Sequence, residues 1–132
     1  MLKINKRFLI MLLTLAFSFA CVGCSDGGFA SYDQISGAEA KALMDSESGY
    51  IIIDARTHEE YDQGHIPGAI LIPEYEIANR AEKELLDKDQ LILVYCRSGR
   101  RSKIAAEELV KLGYTNVKEF GGIIDWEYEI VK

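Results

Sequence analysis

Two uninterrupted apolar runs, Tyr50-Ile51-Ile52-Ile53 and Leu91-Ile92-Leu93-Val94-Tyr95, constrain this chain more than any other feature. Neither alternates with polar residues, so neither suits a strand with one wet face; each reads as a short strand buried on both sides. Strands of that kind belong to parallel sheets, whose faces are covered by the helices of their crossover connections. Helix signals stand between them. Ser36-Gly37-Ala38-Glu39 is a capping box that opens a helix to about Asp45, with Ala40, Leu43 and Met44 inward. Thr57-His58-Glu59-Glu60 is a second, opening a short helix that stops at Gly64. Residues 74–86 suit a helix with Ile77, Ala81 and Leu85 on one stripe, and Ser102 is expected to cap another in which Ala105, Leu109 and Leu112 share a face before Gly113. Residues 69–72, closed by Pro73, and 117–120 read as further short strands. The expectation is an α/β domain with a parallel, helix-covered sheet.

In open sheets of this class, ligands sit beyond the carboxyl ends of the strands. The run 91–95 ends at that place in Cys96-Arg97-Ser98-Gly99-Arg100-Arg101-Ser102. The strand fixes the sulfur, consecutive loop amides can form a nest, and the following helix N-terminus adds roughly half a positive charge. Gly99 permits a tight curl, and Arg97, Arg100 and Arg101 offer donors to an oxyanion. A free cysteine titrates near ~8.5 and falls by several units in such surroundings. Cys96 is therefore the expected nucleophile, and Arg97, Ser98, Gly99, Arg100 and Arg101 the expected substrate-binding loop. No cysteine or histidine grouping has zinc-ligand spacing, so no metal site is expected.

The first two dozen residues are of another kind. Lys3, Lys6 and Arg7 precede an uncharged apolar stretch over residues 8–20. A membrane span needs about 20 residues, and the shorter stretch suits the core of a secretory signal peptide. Ala20-Cys21 and Gly23-Cys24 resemble the lipobox of bacterial lipoproteins. Cys24, preceded by Val22 and Gly23, is the expected lipidated residue and Cys21 the alternative. The expected organisation is a signal over 1–24, a tether over 25–34 and one domain over 35–132. Loss of residues 1–24 removes three of the 15 basic residues and none of the 21 acidic ones, leaving twelve against 21 and a net charge of −9. That acidity argues against nucleic-acid partners. With Cys21 removed and Cys24 lipidated, Cys96 is the one free thiol left, so no internal disulfide is expected. The expected location is the cell envelope, lipid-anchored on the extracytoplasmic face of the membrane or in the periplasm, with a monomer as the default state.

Three groups of residues together resemble the rhodanese family of single-domain sulfurtransferases. They are Asp54-Ala55-Arg56 with Glu60-Tyr61 and Gly64-His65-Ile66-Pro67-Gly68-Ala69; the loop from Cys96 to Arg101; and Gly121-Gly122 with Trp126. They span roughly residues 32–131, and their order and spacing make the match specific. The resemblance implies a three-layer α/β fold with a central, mostly parallel five-stranded sheet. It implies a Cys96 persulfide that takes sulfane sulfur from a small sulfur anion such as thiosulfate and gives it to a thiol or cyanide acceptor, with no metal or organic cofactor. Arg97, Arg100 and Arg101 would meet the donor's charge, Asp54 and Arg56 would brace the loops beneath the site, His65 would order a turn, and Trp126 would serve as a core or lid residue.

A cysteine-dependent phosphatase is one rival reading. Such enzymes separate Cys and Arg by five residues, whereas here that position is Ser102 and arginine comes at Arg100 and Arg101. The shorter loop suits a sulfur-sized group rather than a phosphate. The other rivals are a non-enzymatic binding module, against which the retained Cys96 and its cations speak, and a persulfide carrier, which differs from the enzyme only in the identity of the donor.

Overall fold

The computed structural model describes residues 31–132; the expected signal segment, with Cys21 and Cys24, lies outside them. Five strands, β1 (Asp33–Gln34), β2 (Ile51–Asp54), β3 (Ile70–Leu71), β4 (Ile92–Cys96) and β5 (Val117–Gly122), form one sheet in the order β1-β5-β4-β2-β3. Every pairing is parallel. Four helices cover it: α1 (Gly37–Ser46), α2 (His58–Gln63), α3 (Ile77–Glu84) and α4 (Arg100–Lys111).

The apolar runs are continuous because each strand serves two cores. In β2, Ile53 joins the cluster under α3 and α4 with Ile72, Ile77, Leu85, Val94 and Leu109. Its neighbour Ile52 joins the opposite cluster under α1, with Ala40, Leu93, Tyr95 and Phe120. β4 divides in the same way, Ile92, Val94 and Cys96 facing one cluster and Leu93 and Tyr95 the other. Alternate side chains point to opposite faces of a strand, so a middle strand needs apolar residues at every position.

Both capping boxes form. Glu39 N–H donates to Ser36 Oγ (3.1 Å) and Ser36 N–H returns to Glu39 Oε2 (2.7 Å). The equivalent pair at α2 joins Glu60 N–H to Thr57 Oγ1 (3.3 Å) and Thr57 N–H to Glu60 Oε2 (3.0 Å). The Ile77, Ala81, Leu85 stripe is buried as its spacing requires.

Three boundaries differ from expectation. β1 falls within the stretch read as tether: Asp33 and Gln34 pair with Lys118 and Glu119 of β5, so the sheet starts two residues before the expected domain boundary. The helix expected over 74–86 begins as a 3-10 turn, Glu74–Glu76, because Pro73 sets the entry, and becomes α-helical only at Ile77. Ser102 does not cap α4. Gly99 occupies the cap with φ 107°, a left-handed conformation that glycine alone adopts freely, and the helix starts at Arg100 with Ser102 inside its first turn.

Candidate active site

Cys96 is the last residue of β4, the strand flanked by β2 on one side and β5 on the other. Its register slips here: after Val94 pairs with Glu119, Cys96 lies opposite Gly122. Such an irregularity turns a strand end and re-aims its side chain. Residues 97–99 then curl back over the sulfur. Gly99 N–H donates to Cys96 Sγ at 3.0 Å, and Ser102 Oγ lies 3.4 Å from it. Cys96 is 1 % exposed. Burial pushes its thiol up, but the Ser102 hydroxyl and the N–H groups of Ser102, Gly99 and Ser98 outweigh burial and hold it below its ordinary value. The leading stabilisation of the thiolate thus comes from aimed hydrogen-bond donors.

Gly122 shapes this curl from the opposite side. A Cβ there would stand 2.0 Å from the Arg97 carbonyl oxygen and 2.5 Å from Ser98 Cα, although its φ of −131° is ordinary. The loop lies against bare backbone, and Ile124 N–H holds the Arg97 carbonyl at 3.2 Å.

The three arginines have different roles. Arg101 makes a two-pronged ion pair with Glu60, Nη1 to Oε2 at 2.7 Å and Nη2 to Oε1 at 2.8 Å. This pairing holds the Glu60 carboxyl down to about 2. Arg97 and Arg100 are exposed, and neither is in an ion pair among the described residues. Arg97 also lines a cavity of about 480 Å³ with Arg56, Glu60, Gln63, Gly64, Ile123, Ile124 and Ile130. Of the loop residues, the cavity therefore meets Arg97 and not Arg101.

Asp54 and Arg56 lie beneath the loops, bound to each other. Arg56 Nη2 donates to Asp54 Oδ2 (2.7 Å) and to the Gly64 carbonyl (2.7 Å), while Tyr95 O–H donates to Asp54 Oδ2 (2.6 Å) and accepts from Ile66 N–H (3.1 Å). One buried network thus ties the ends of β2 and β4 to the 64–66 turn. His65 stacks on Tyr61 at 3.7 Å between ring centres and exchanges two backbone hydrogen bonds with Val131, so it organises the turn and holds the tail of the chain. Trp126 is half-buried, 5.7 Å from the Phe120 ring and on the core facing α1.

The sequence reading missed two groups at the site. Ser102 was expected as a cap and instead touches the sulfur. Glu119, 3 % exposed in β5, accepts from the Ser102 hydroxyl at 2.6 Å and from Gly121 N–H at 2.8 Å. Glu119 stands beside Lys118 in β5 and so carries no local signal of burial, and its partner lies 17 residues earlier in the chain.

The structure is thus an α/β domain: a parallel sheet covered on both faces, with a hydrogen-bonded cysteine in an amide-lined curl at the end of its middle strand. The sequence pattern of the Rhodanese-like domain matches residues 36–129, and the chain belongs to that family. It is 44 % identical over 73 residues to the thiosulfate sulfurtransferase PspE of Escherichia coli, a match covering 55 % of this chain and 70 % of that protein. It is 39 % identical over 98 residues to the putative sulfur carrier protein YrkF of Bacillus subtilis, covering 74 % of this chain and 52 % of the relative. Among solved structures, an E. coli rhodanese with anions superposes with a TM-score of 0.60 at 40 % identity, covering 64 % of this chain and 99 % of the other.

Proposed function

We propose that this protein is a rhodanese-type sulfurtransferase that carries sulfane sulfur as a persulfide on Cys96. The observation that carries the reading is the Cys96 sulfur itself, fixed on the middle strand and facing hydrogen-bond donors that favour its thiolate. In the forward half-reaction the thiolate attacks the sulfane sulfur of thiosulfate or a similar donor. A new S–S bond forms, the donor's S–S bond breaks, and its electron pair leaves on sulfite. The persulfide anion then rests among the amide donors of Ser98, Gly99 and Ser102. An acceptor thiolate or cyanide attacks the outer sulfur and returns Cys96 as thiolate. Neither half-reaction calls for a metal or organic cofactor.

Arg97 and Arg100 are the cations assigned to the incoming donor, because both are exposed and neither is engaged in an ion pair among the described residues. Arg101 serves chiefly to hold α4 to α2 through Glu60. Near-complete burial of Cys96 suits a small sulfur anion and a slender thiol better than a bulky phosphoester. The amino-terminal signal pattern belongs to the same reading: Cys24, or alternatively Cys21, carries a lipid that holds a monomeric domain on the extracytoplasmic side of the membrane, with the membrane and small sulfur compounds as its partners and no role for nucleic acid.

A persulfide carrier is the second reading, favoured by the relative bearing the name sulfur carrier protein. Peptide mass measurement after thiosulfate treatment tests both. The tryptic peptide 89–97 contains Cys96 as its single cysteine. A gain of one sulfur atom on that peptide in the wild type, absent in Cys96→Ser, is the expected result. A carrier would gain the sulfur from a protein persulfide and not from thiosulfate. Release of phosphate from a phosphoester with no persulfide would overturn the proposal.

A further inference from the structure

Glu119 is a buried carboxylate for which sulfur transfer as set out above has no use. It is 3 % exposed, and among the described residues it enters no ion pair. A charged carboxylate in that position is costly unless it is well hydrogen-bonded or able to take up a proton. Its Oε1 accepts two hydrogen bonds, from Gly121 N–H at 2.8 Å and from the Ser102 hydroxyl at 2.6 Å.

The Ser102 hydroxyl has a single proton and several claimants for it. Oγ lies 2.6 Å from Glu119 Oε1, 3.0 Å from the Gly99 carbonyl and 3.4 Å from Cys96 Sγ. While Glu119 is ionised, the shortest of these contacts takes the Ser102 proton, and the lone pairs left on Oγ accept from the Cys96 thiol. For Ser102 to donate to a Cys96 thiolate instead, Glu119 must carry a proton and donate it to Oγ. The two arrangements contain the same number of protons and differ only in the direction of two adjacent hydrogen bonds.

We propose that Cys96, Ser102 and Glu119 form a proton relay, in which the Cys96 thiol passes its proton to Ser102 Oγ as the Ser102 hydroxyl passes its own to Glu119 Oε1. The products are a Cys96 thiolate and a neutral Glu119 carboxylic acid, with no net proton exchanged with solvent. Through the persulfide stage Glu119 keeps that proton, and it returns it when the acceptor restores the thiolate. Ser102 touches the reacting sulfur; Glu119 is a positioning residue that acts through Ser102. The relay rests on Cys96 being the nucleophile and is independent of which sulfur donor the protein uses.

The charged group that acts on Cys96 from the start of α4 is Arg101, itself held by Glu60 of α2. From β1 the nearest acid is Asp33, which is paired with Lys118 of β5.

The test is the pH dependence of Cys96 alkylation by iodoacetamide in the full chain, read on the tryptic peptide 89–97 by mass. Wild type is expected to show two inflections. Glu119→Gln, which keeps the shape and both hydrogen-bonding partners, is expected to show one, displaced downward by about one pH unit because the competing carboxylate charge is gone. Adding Glu119→Gln to Ser102→Ala is expected to move the profile by less than about a third as much, since the connection is already cut. A Glu119→Gln profile that superposes on wild type would overturn the relay, and so would an equal displacement with and without Ser102, which would reduce Glu119 to a through-space charge. Ser102→Ala, a small truncation, gives its own reading should Glu119→Gln fail to fold: loss of the two-step profile supports the relay and its retention overturns it. The outcome is separable from the proposed function, because normal alkylation profiles with no sulfur uptake from any donor would remove the sulfurtransferase and leave the relay.

Discussion

At the scale of single residues, the site depends as much on atoms that are missing as on those that are present. Gly122 illustrates this, because its lack of a side chain is what lets the Arg97 and Ser98 backbone lie over β5. Gly122→Ala is expected to cost about 1–3 kcal/mol through overcrowding and to displace the donors that face Cys96. Thermal unfolding will read the first effect, and a thiol that titrates nearer its ordinary value the second. Tyr95→Phe tests the other side of the site. It removes the O–H that donates to Asp54 and accepts from Ile66 N–H, leaving buried groups unsatisfied at a cost of about 1–3 kcal/mol, measurable by urea unfolding. The placing of Cys96 and its loop at the end of a buried strand was readable from the chain, since a lone cysteine, a glycine and three arginines follow that strand without a break. Ser102 was not, because its reach back to the sulfur depends on how the intervening loop curls. Glu119 was not, because its contact with Ser102 depends on β5 lying next to β4, a long-range pairing that local pattern does not encode.

Among elements, the pair that most repays attention is α2 with α4. Glu60 closes the capping box of α2 and also grips Arg101 at the start of α4, so one carboxylate joins a helix end to the helix that follows the Cys96 loop. Its acidity gives this contact a pH signature. Glu60 is held at about 2 in the folded protein against an ordinary 4.5, so the folded state binds a proton there less readily than the unfolded state. The contribution is complete above pH 4.5 and is lost progressively as pH falls toward 2. In Glu60→Gln the thermal midpoint is expected to be lower at neutral pH and its decline across that acid interval shallower than in wild type. Sequence reading found the box, which is local, and missed the ion pair, which joins residues 41 apart. The same contrast explains β1. Asp33–Gln34 is two exposed polar residues that become a strand only through their partners in β5, so nothing in those residues announces a strand. By contrast, the four apolar residues of the run at 50–53 suffice to mark β2, because their burial on both faces is written into their composition.

On the scale of the whole molecule, the sheet order sets where the Cys96 sulfur sits. β4 has β2 and then β3 on one side, β5 and then β1 on the other, and helices above and below. The short edge strands β1 and β3 thus guard the strand that carries the sulfur. Shortening Val94 or Ile53, both fully buried neighbours in this sheet, to Ala is expected to cost about 2–5 kcal/mol for isoleucine and somewhat less for valine, read from denaturant midpoints. The fold class was legible from the alternation of apolar runs and capping boxes, whereas the packing partners on each face came from the order of strands in space. A middle strand is also the last part of a sheet to exchange its amide hydrogens, because local fraying begins at edges and ends. Cys96 is anchored to that slowest-opening segment. On warming, the capacity to take up sulfur and the native circular dichroism should therefore disappear over the same interval; earlier loss of capacity would show that residues 97–99 melt ahead of the sheet. Tied in this way, the Cys96 sulfur keeps its surroundings for as long as the fold itself lasts.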